Sequence, residues 1–243
     1  MLEARDLTKS FGKVSAVRGV SFTARDGQIT GLLGPNGAGK STTLRMLYTV
    51  LRPDSGDAFI DDVSVLTDPL AARRAIGVLS HGAGIYNHLT ARENIAYFGE
   101  LHGLSRADRN ARAAELIETL DMQPFADRLA KGFSQGQKLK TALARSLVHK
   151  PRNVLLDEPT NGLDVMAVRN LRKLLGTLRD AGHCVLFSSH VMQEVEQLCD
   201  EVVVIAGGQV VAAGAIADIR ARAGNQQLED AFVQLLDGSG SAP

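Results

Sequence analysis

The sequence predicts an α/β fold, with an antiparallel β region at its start and an α-helical lobe inserted later, and three observations predict it. Short apolar runs of strand length recur at 29–33, 76–79, 153–156 and 183–188. Amphipathic helical patterns alternate with them, as a sheet flanked by helices requires. Between 90 and 150 the character changes: β-branched residues become few, and Ala, Leu, Arg and Glu recur with helical spacing.

The elements follow in order. Residues 2–7 and 16–24 alternate apolar and polar, and Asp26-Gly27 marks a turn, so the chain opens with strands. A helix is expected from Lys40, because Leu44, Leu47, Tyr48 and Leu51 fall at i, i+3, i+4 and i+7; Pro53 and Gly56 end it. Residues 58–65 read as one strand region. The helical lobe closes near Pro151. A strand at 153–156, a helix at 165–181, a strand at 183–188 and a helix at 192–199 follow. Residues 201–206 and 209–213 pair as a hairpin around Gly207-Gly208. Short helices are expected near 215–223 and 227–236, and the small, polar residues 238–243 read as a disordered tail. One domain is drawn over 1–237, with its helical subdomain at about 90–150.

Composition excludes several classes. With 243 residues, 44% of them hydrophobic and 22% charged, the chain suits one large folded domain. Lys plus Arg and Asp plus Glu balance at 27 each, so the basic excess of a nucleic-acid binder is missing and no nucleic-acid partner is expected. Cys184 and Cys199 fit neither metal-ligand nor disulfide spacing and read as reduced thiols. No apolar run reaches the roughly 20 residues of a membrane-spanning helix, and the charged, strand-like start is not a signal peptide. Work at a membrane therefore needs another protein to span it.

The stretch Gly34-Pro35-Asn36-Gly37-Ala38-Gly39-Lys40-Ser41 fits G-x-x-x-x-G-K-[ST], after a buried strand and before an amphipathic helix. Glycines let the backbone curl so that successive N–H groups face phosphate oxygens, and the helix N-terminus adds partial positive charge. Lys40 supplies a point charge for the β- and γ-phosphates, Ser41 a hydroxyl for Mg²⁺, and Thr42 continues the contact. Downstream, an apolar strand ends in Asp157-Glu158. Asp157 is placed to hold the Mg²⁺ shell, and Glu158 to orient or deprotonate the attacking water. His190 follows another apolar strand, and ligands of a doubly wound sheet collect at strand carboxyl ends, so His190 faces the same site.

A second anion-binding helix end is expected at Ser134-Gln135-Gly136-Gln137. Ser134 and Gln137 have capping-box spacing, yet Gly136 weakens the first turn relative to alanine. A glycine there suits close approach of an anion to the backbone. Two phosphate-binding ends in one chain point to two chains sharing their nucleotides head to tail.

The order of 34–41, 133–137, 155–158, Gly162-Leu163-Asp164 and His190 resembles the nucleotide-binding domain of ATP-binding-cassette (ABC) transporters, over about residues 2–213. The resemblance implies a P-loop NTPase core with the β and helical subdomains described, and hydrolysis of ATP with Mg²⁺. It implies two facing cassettes, identical or related, each ATP lying between 34–41 of one and 134–137 of the other, with Asp164 crossing the interface. Phe11 matches the aromatic that stacks on adenine. The implied partner is an integral membrane permease docked near 81–100 and the helical lobe, which places the chain peripherally on the cytoplasmic face of the membrane. Two positions depart from the family pattern. Gln135 replaces a signature glycine, and Ser80-His81 stands where a glutamine is expected, so His81 is the candidate for that catalytic position. The stretches 188–195 and 228–232 resemble the sodium-extrusion and drug-export branch. Soluble cassette ATPases of ribosomes or DNA are the rival, but they carry two cassettes, coiled-coil insertions or basic extensions. A GTPase would need Asn-Lys-x-Asp, and no Asn-Lys pair occurs.

Overall fold

The computed structural model describes residues 1–80 and 84–222. Two sheets organise them. β1 (Leu2–Phe11), β2 (Val14–Ala24), β4 (Ser55–Ile60) and β5 (Val63–Ser64) make an antiparallel sheet in the order β2-β1-β4-β5. Leu2, Ala4 and Leu7 turn one face of β1 inward, as do Val20, Phe22 and Ala24 on β2.

The second sheet has the order β10-β9-β3-β8-β7-β6. β3 (Ile29–Leu33), β6 (Ile76–Leu79), β7 (Asn153–Asp157), β8 (Cys184–Ser189) and β9 (Glu201–Ala206) run parallel, and β10 (Gln209–Ala215) pairs antiparallel at one edge. β3, β7 and β8 are buried along their whole length, which matches their largely apolar sequences and requires cover on both faces. Leu33 pairs with Ser189 and Asp157 with Ser188, so these three strands end level and present their last residues together.

Helices supply the cover. α1 (Lys40–Leu47) leaves the end of β3. α3 (Ala91–Leu101), α4 (Arg106–Thr119) and α5 (Gln135–Leu147) lie in the chain between β6 and β7, and α6 (Val165–Asp180), α7 (Met192–Leu198) and α8 (Ile216–Arg222) follow β7, β8 and β10. α3 and α5 each open on a full capping box, Thr90 with Glu93 and Ser134 with Gln137. The core has two apolar clusters. Leu186 on β8 joins Leu7, Val20, Leu44 and Ile60 under the antiparallel sheet, and its neighbour Phe187 joins Ile95, Met122, Leu143 and Leu156 under the helices. A strand's alternation thus sends adjacent residues into different clusters.

Three local features differ from expectation. α1 ends at Leu47 rather than near Pro53, because Thr49 takes a left-handed φ of 62° and the amides of Val50 and Leu51 both turn back to the Arg45 carbonyl. Leu51 still packs against the core, which is why its spacing reads as helical. The strand region 58–65 is split by a turn in which Asp61 and Asp62 both have positive φ. A short helix α2 (Pro69–Arg74) was not expected; Asp68 caps it by accepting from the Ala71 amide at 3.0 Å, and Pro69 starts it. His81, the expected helix at 227–236 with the stretch 228–232, and the tail 238–243 lie outside the described residues. No helix among the described residues is long and apolar enough to cross a membrane.

Candidate nucleotide site

Residues 34–39 link β3 to α1 as a loop, and close approach dictates its glycines. A Cβ on Gly34 would stand 2.2 Å from the Ile205 carbonyl oxygen. One on Gly39 would stand 2.6 Å from the Ala16 oxygen, and Gly39 has φ of 106° besides. Gly39 is also the N-cap of α1 and gives no side-chain cap. The first N–H groups of α1 therefore keep their capacity for an outside acceptor. Pro35, Asn36 and Gly37 are exposed, whereas Ala38, Gly39 and Lys40 are buried. The Lys40 ammonium sits within the curl, donating to the Gly34 carbonyl at 2.7 Å and the Pro35 carbonyl at 3.1 Å. Burial pulls its pKa below the usual lysine value, and the nearby carboxylates of Glu158 and Asp157 oppose that shift. Thr42 is half-buried in the first turn of α1.

The acidic pair stands opposite. Asp157 closes β7 and is 3% exposed. Its Oδ1 accepts from the Ser41 hydroxyl at 3.0 Å and from the Ser188 hydroxyl at 2.7 Å. Its Oδ2 is buried with no hydrogen-bond partner among the described residues. A buried carboxylate oxygen left unpaired asks for a cation or a donor. With the Ser41 hydroxyl beside it, the donor set is all oxygen and suits Mg²⁺. Glu158 takes a left-handed φ of 49°, a strained conformation for a residue with a side chain. Its amide donates to Ser188 Oγ at 3.0 Å, which fixes that turn. Its Oε1 lies 4.0 Å from Lys40 Nζ and 3.3 Å from His190 Nδ1. With the proton on Nδ1, His190 donates to the Glu158 carboxylate and keeps Nε2 as an acceptor.

The sequence-predicted residues thus fall into two groups. Residues 34–41, Asp157, Glu158 and His190 meet in one place, at the level ends of β3, β7 and β8. Ser134, Gly136 and Gln137 form the start of α5 and belong to a different surface. Ser134 Oγ accepts from the Gln137 amide at 3.3 Å, and Gln137 Oε1 accepts from the Ser134 amide at 3.1 Å. A Cβ on Gly136 would meet only Ala167 Cβ, at 3.6 Å, so packing within the chain does not require a glycine there. Asp164 is exposed and caps α6, accepting from the Ala167 amide at 2.7 Å. Phe11 ends β1 at the tip of the β1–β2 hairpin, 49% exposed, on the same hairpin whose Ala16 borders Gly39. A cleft of about 560 Å³ is lined by Asp157, Glu158, Asn161, Gln135, Lys138 and Asn87, among others, whereas Ser134, Gly136, Gln137 and Asp164 line a second cavity of about 420 Å³.

A buried acid with an unpaired oxygen, a strained glutamate against a histidine, and a lysine-centred glycine loop form an arrangement whose chemistry suits holding and cleaving a triphosphate. The family model described as ABC transporter matches residues 17–161. The chain belongs to the ABC transporter family. It is similar to the ABC transporter ATP-binding protein NatA of Bacillus subtilis, 40% identical over 92% of this chain and 91% of that protein. It is also 38% identical to the daunorubicin/doxorubicin resistance ATP-binding protein DrrA of Streptomyces peucetius, over 93% of this chain and 69% of that one. Among solved structures, an ATP-binding subunit of an ABC transporter superposes with a TM-score of 0.88 at 28% identity, covering 97% of this chain and 99% of that chain. A dimeric ATP-binding cassette in a post-hydrolysis state with ADP and Pi superposes at 0.80 and 25% identity, covering 88% and 98%. This ABC protein is an ATP-binding subunit and an ATPase.

Sequence reasoning missed Ser188, which holds both Asp157 and the Glu158 amide. Its signal was available: a hydroxyl pair, Ser188-Ser189, ends an otherwise apolar buried strand.

Proposed function

We propose that this ABC subunit works as a dimer of facing cassettes and drives export through a separate membrane-spanning permease, on whose cytoplasmic side it sits. Each Mg·ATP lies between residues 34–41 of one chain and 134–137 of its mate, and Asp164 meets the mate across the interface. Phe11 stacks on adenine. The backbone N–H groups of the loop and the Lys40 ammonium bind the phosphates and hold the γ-phosphoryl in line. Ser41 and Asp157 would hold Mg²⁺, which would supply positive charge against the charge that develops on the phosphates. Glu158 takes the proton of the attacking water or orients it, and His190 fixes Glu158 and the departing phosphoryl.

The observation that carries this reading is Glu158 itself: a residue of strained backbone, tied by its amide to Ser188, whose carboxylate lies 3.3 Å from His190 and 4.0 Å from Lys40. The glycine at 136, unneeded by the chain's own packing, supports the facing dimer. The drug-resistance name of the Streptomyces relative and the branch resemblance support export, with a sodium or drug cargo. Glu158→Gln keeps the shape and removes the base. The variant should bind ATP normally and lose at least about a hundred-fold in turnover, the lower range of general-base catalysis. Wild-type turnover by that variant removes Glu158 from the mechanism.

A further inference from the structure

Two buried hydroxyls near the site converge on a carboxylate that the reaction above does not use. Thr160 Oγ1 donates to Glu194 Oε2 at 2.7 Å, and Ser189 Oγ donates to the same oxygen at 2.7 Å. Ser189 is 2% exposed and Thr160 9%, so both depend on a protein acceptor rather than water. Each hydroxyl belongs to a segment that matters. Thr160 stands between Glu158 and Asp164, in consecutive turns where Asn161 donates to the Glu158 carbonyl at 3.2 Å and Leu163 to the Thr160 carbonyl at 3.1 Å. Ser189 precedes His190, and its oxygen also accepts from the Val191 amide at 3.0 Å, so the backbone is held on both sides of the histidine. Glu194 itself is fixed in the first turn of α7, its amide donating to the Val191 carbonyl at 3.2 Å.

We propose that Glu194 is a positioning residue for hydrolysis: one carboxylate oxygen ties the segment running from Glu158 to Asp164 to the backbone that carries His190, and so sets the contact between His190 and Glu158. The proposal rests on the reading of Glu158 and His190 as the hydrolytic pair. Its physical content is geometric. The two hydroxyls need an acceptor at that point, and a glutamine amide oxygen supplies one. Because Glu194 contacts Thr160 and Ser189 rather than the loop at 34–41, its loss acts on the reacting geometry and leaves nucleotide binding alone. The same tie joins the exposed Asp164 to the histidine, so a contact made at Asp164 is felt at His190.

The test uses the full chain with Mg·ATP, measuring turnover, nucleotide affinity and thermal melting. Glu194→Ala should lower kcat about ten-fold with KM for ATP within about two-fold, the signature of an interaction realised in the transition state. Glu194→Gln should return kcat to within about two-fold of wild type. Thr160→Val, which keeps the shape and removes the donor, should lower kcat in the same direction and add little to Glu194→Ala, since both cut one tie. If Glu194→Ala fails to fold, Thr160→Val and Glu194→Gln carry the comparison. Wild-type kcat in both Glu194→Ala and Thr160→Val overturns the proposal, as does a pure KM effect or an equal loss in Glu194→Gln and Glu194→Ala. Wild-type turnover by Glu158→Gln sinks the underlying reading instead, whatever Glu194 does.

Discussion

The two helix starts that face phosphate in this account are built in opposite ways. α1 begins at Gly39, a left-handed residue with no side chain to cap its N–H groups, and Lys40 is folded into the loop ahead of it. α5 begins at Ser134, whose hydroxyl and the Gln137 amide group satisfy each other's backbone in a full capping box. The first end is left open and surrounded: the β1–β2 hairpin borders Gly39 at Ala16, and the Gly208 amide donates to the Ala38 carbonyl at 3.1 Å. The second end is finished, with Ser134 and Gln135 exposed and Gly136 and Gln137 half-buried. An uncapped, enclosed helix end is a binding site that costs stability until it is filled. A capped one is stable alone and can add donors, from the amides of Gln135 and Gly136, once a ligand is brought to it. That asymmetry suits a chain that holds its own nucleotide first and then presents α5 to the nucleotide of another chain.

The comparison breaks most sharply at Lys40. Lys40→Ala removes the ammonium that sits inside the glycine loop, on the Gly34 and Pro35 carbonyls, 4.0 Å from Glu158. A charge-assisted contact contributes about 1.5–3 kcal/mol, so affinity for Mg·ATP should fall about ten- to a hundred-fold, as read by titration of a single chain. An unchanged affinity would mean that the loop binds through its backbone alone. A sharper and opposite result is expected at Gly136. Ala fits the space beside Ala167, and replacing a glycine in a helix adds up to about 1 kcal/mol of stability. Gly136→Ala should therefore melt no lower than wild type and bind ATP equally well as a monomer, yet lose most ATPase activity, because the methyl group keeps phosphate from the α5 amides. Full activity in that variant would strip α5 of its role.

Much of this architecture was legible because physics ties it to short-range pattern. Strands buried on both faces must be largely apolar, and 29–33, 154–156 and 184–187 are, with Thr30 the one polar residue among them. The capping box at Ser134 is local chemistry, readable three residues at a time, and the one at Thr90 carries the same spacing but was passed over. The glycine loop is legible for the same reason, since Gly34 and Gly39 answer to backbone crowding. What escaped depends on register between distant strands. Ser188 reaches Asp157 only because β7 and β8 pair with those residues opposite each other, and Thr160 meets Ser189 only through a side chain on α7. The end of α1 escaped for a different reason: Leu51 keeps helical spacing while packing into the core from a loop. The short α2 carried a readable Asp-Pro start, but six residues give too little periodicity to weigh.

The central claim is that one chain's open loop and another chain's capped helix grip a nucleotide jointly. Solution scattering on Glu158→Gln at saturating Mg·ATP reads it directly, because that variant binds without consuming the ligand. A scattering mass of two chains, returning to one when ATP is replaced by ADP, is the predicted result. A single-chain mass at saturation, with ATP demonstrably bound, would contradict it.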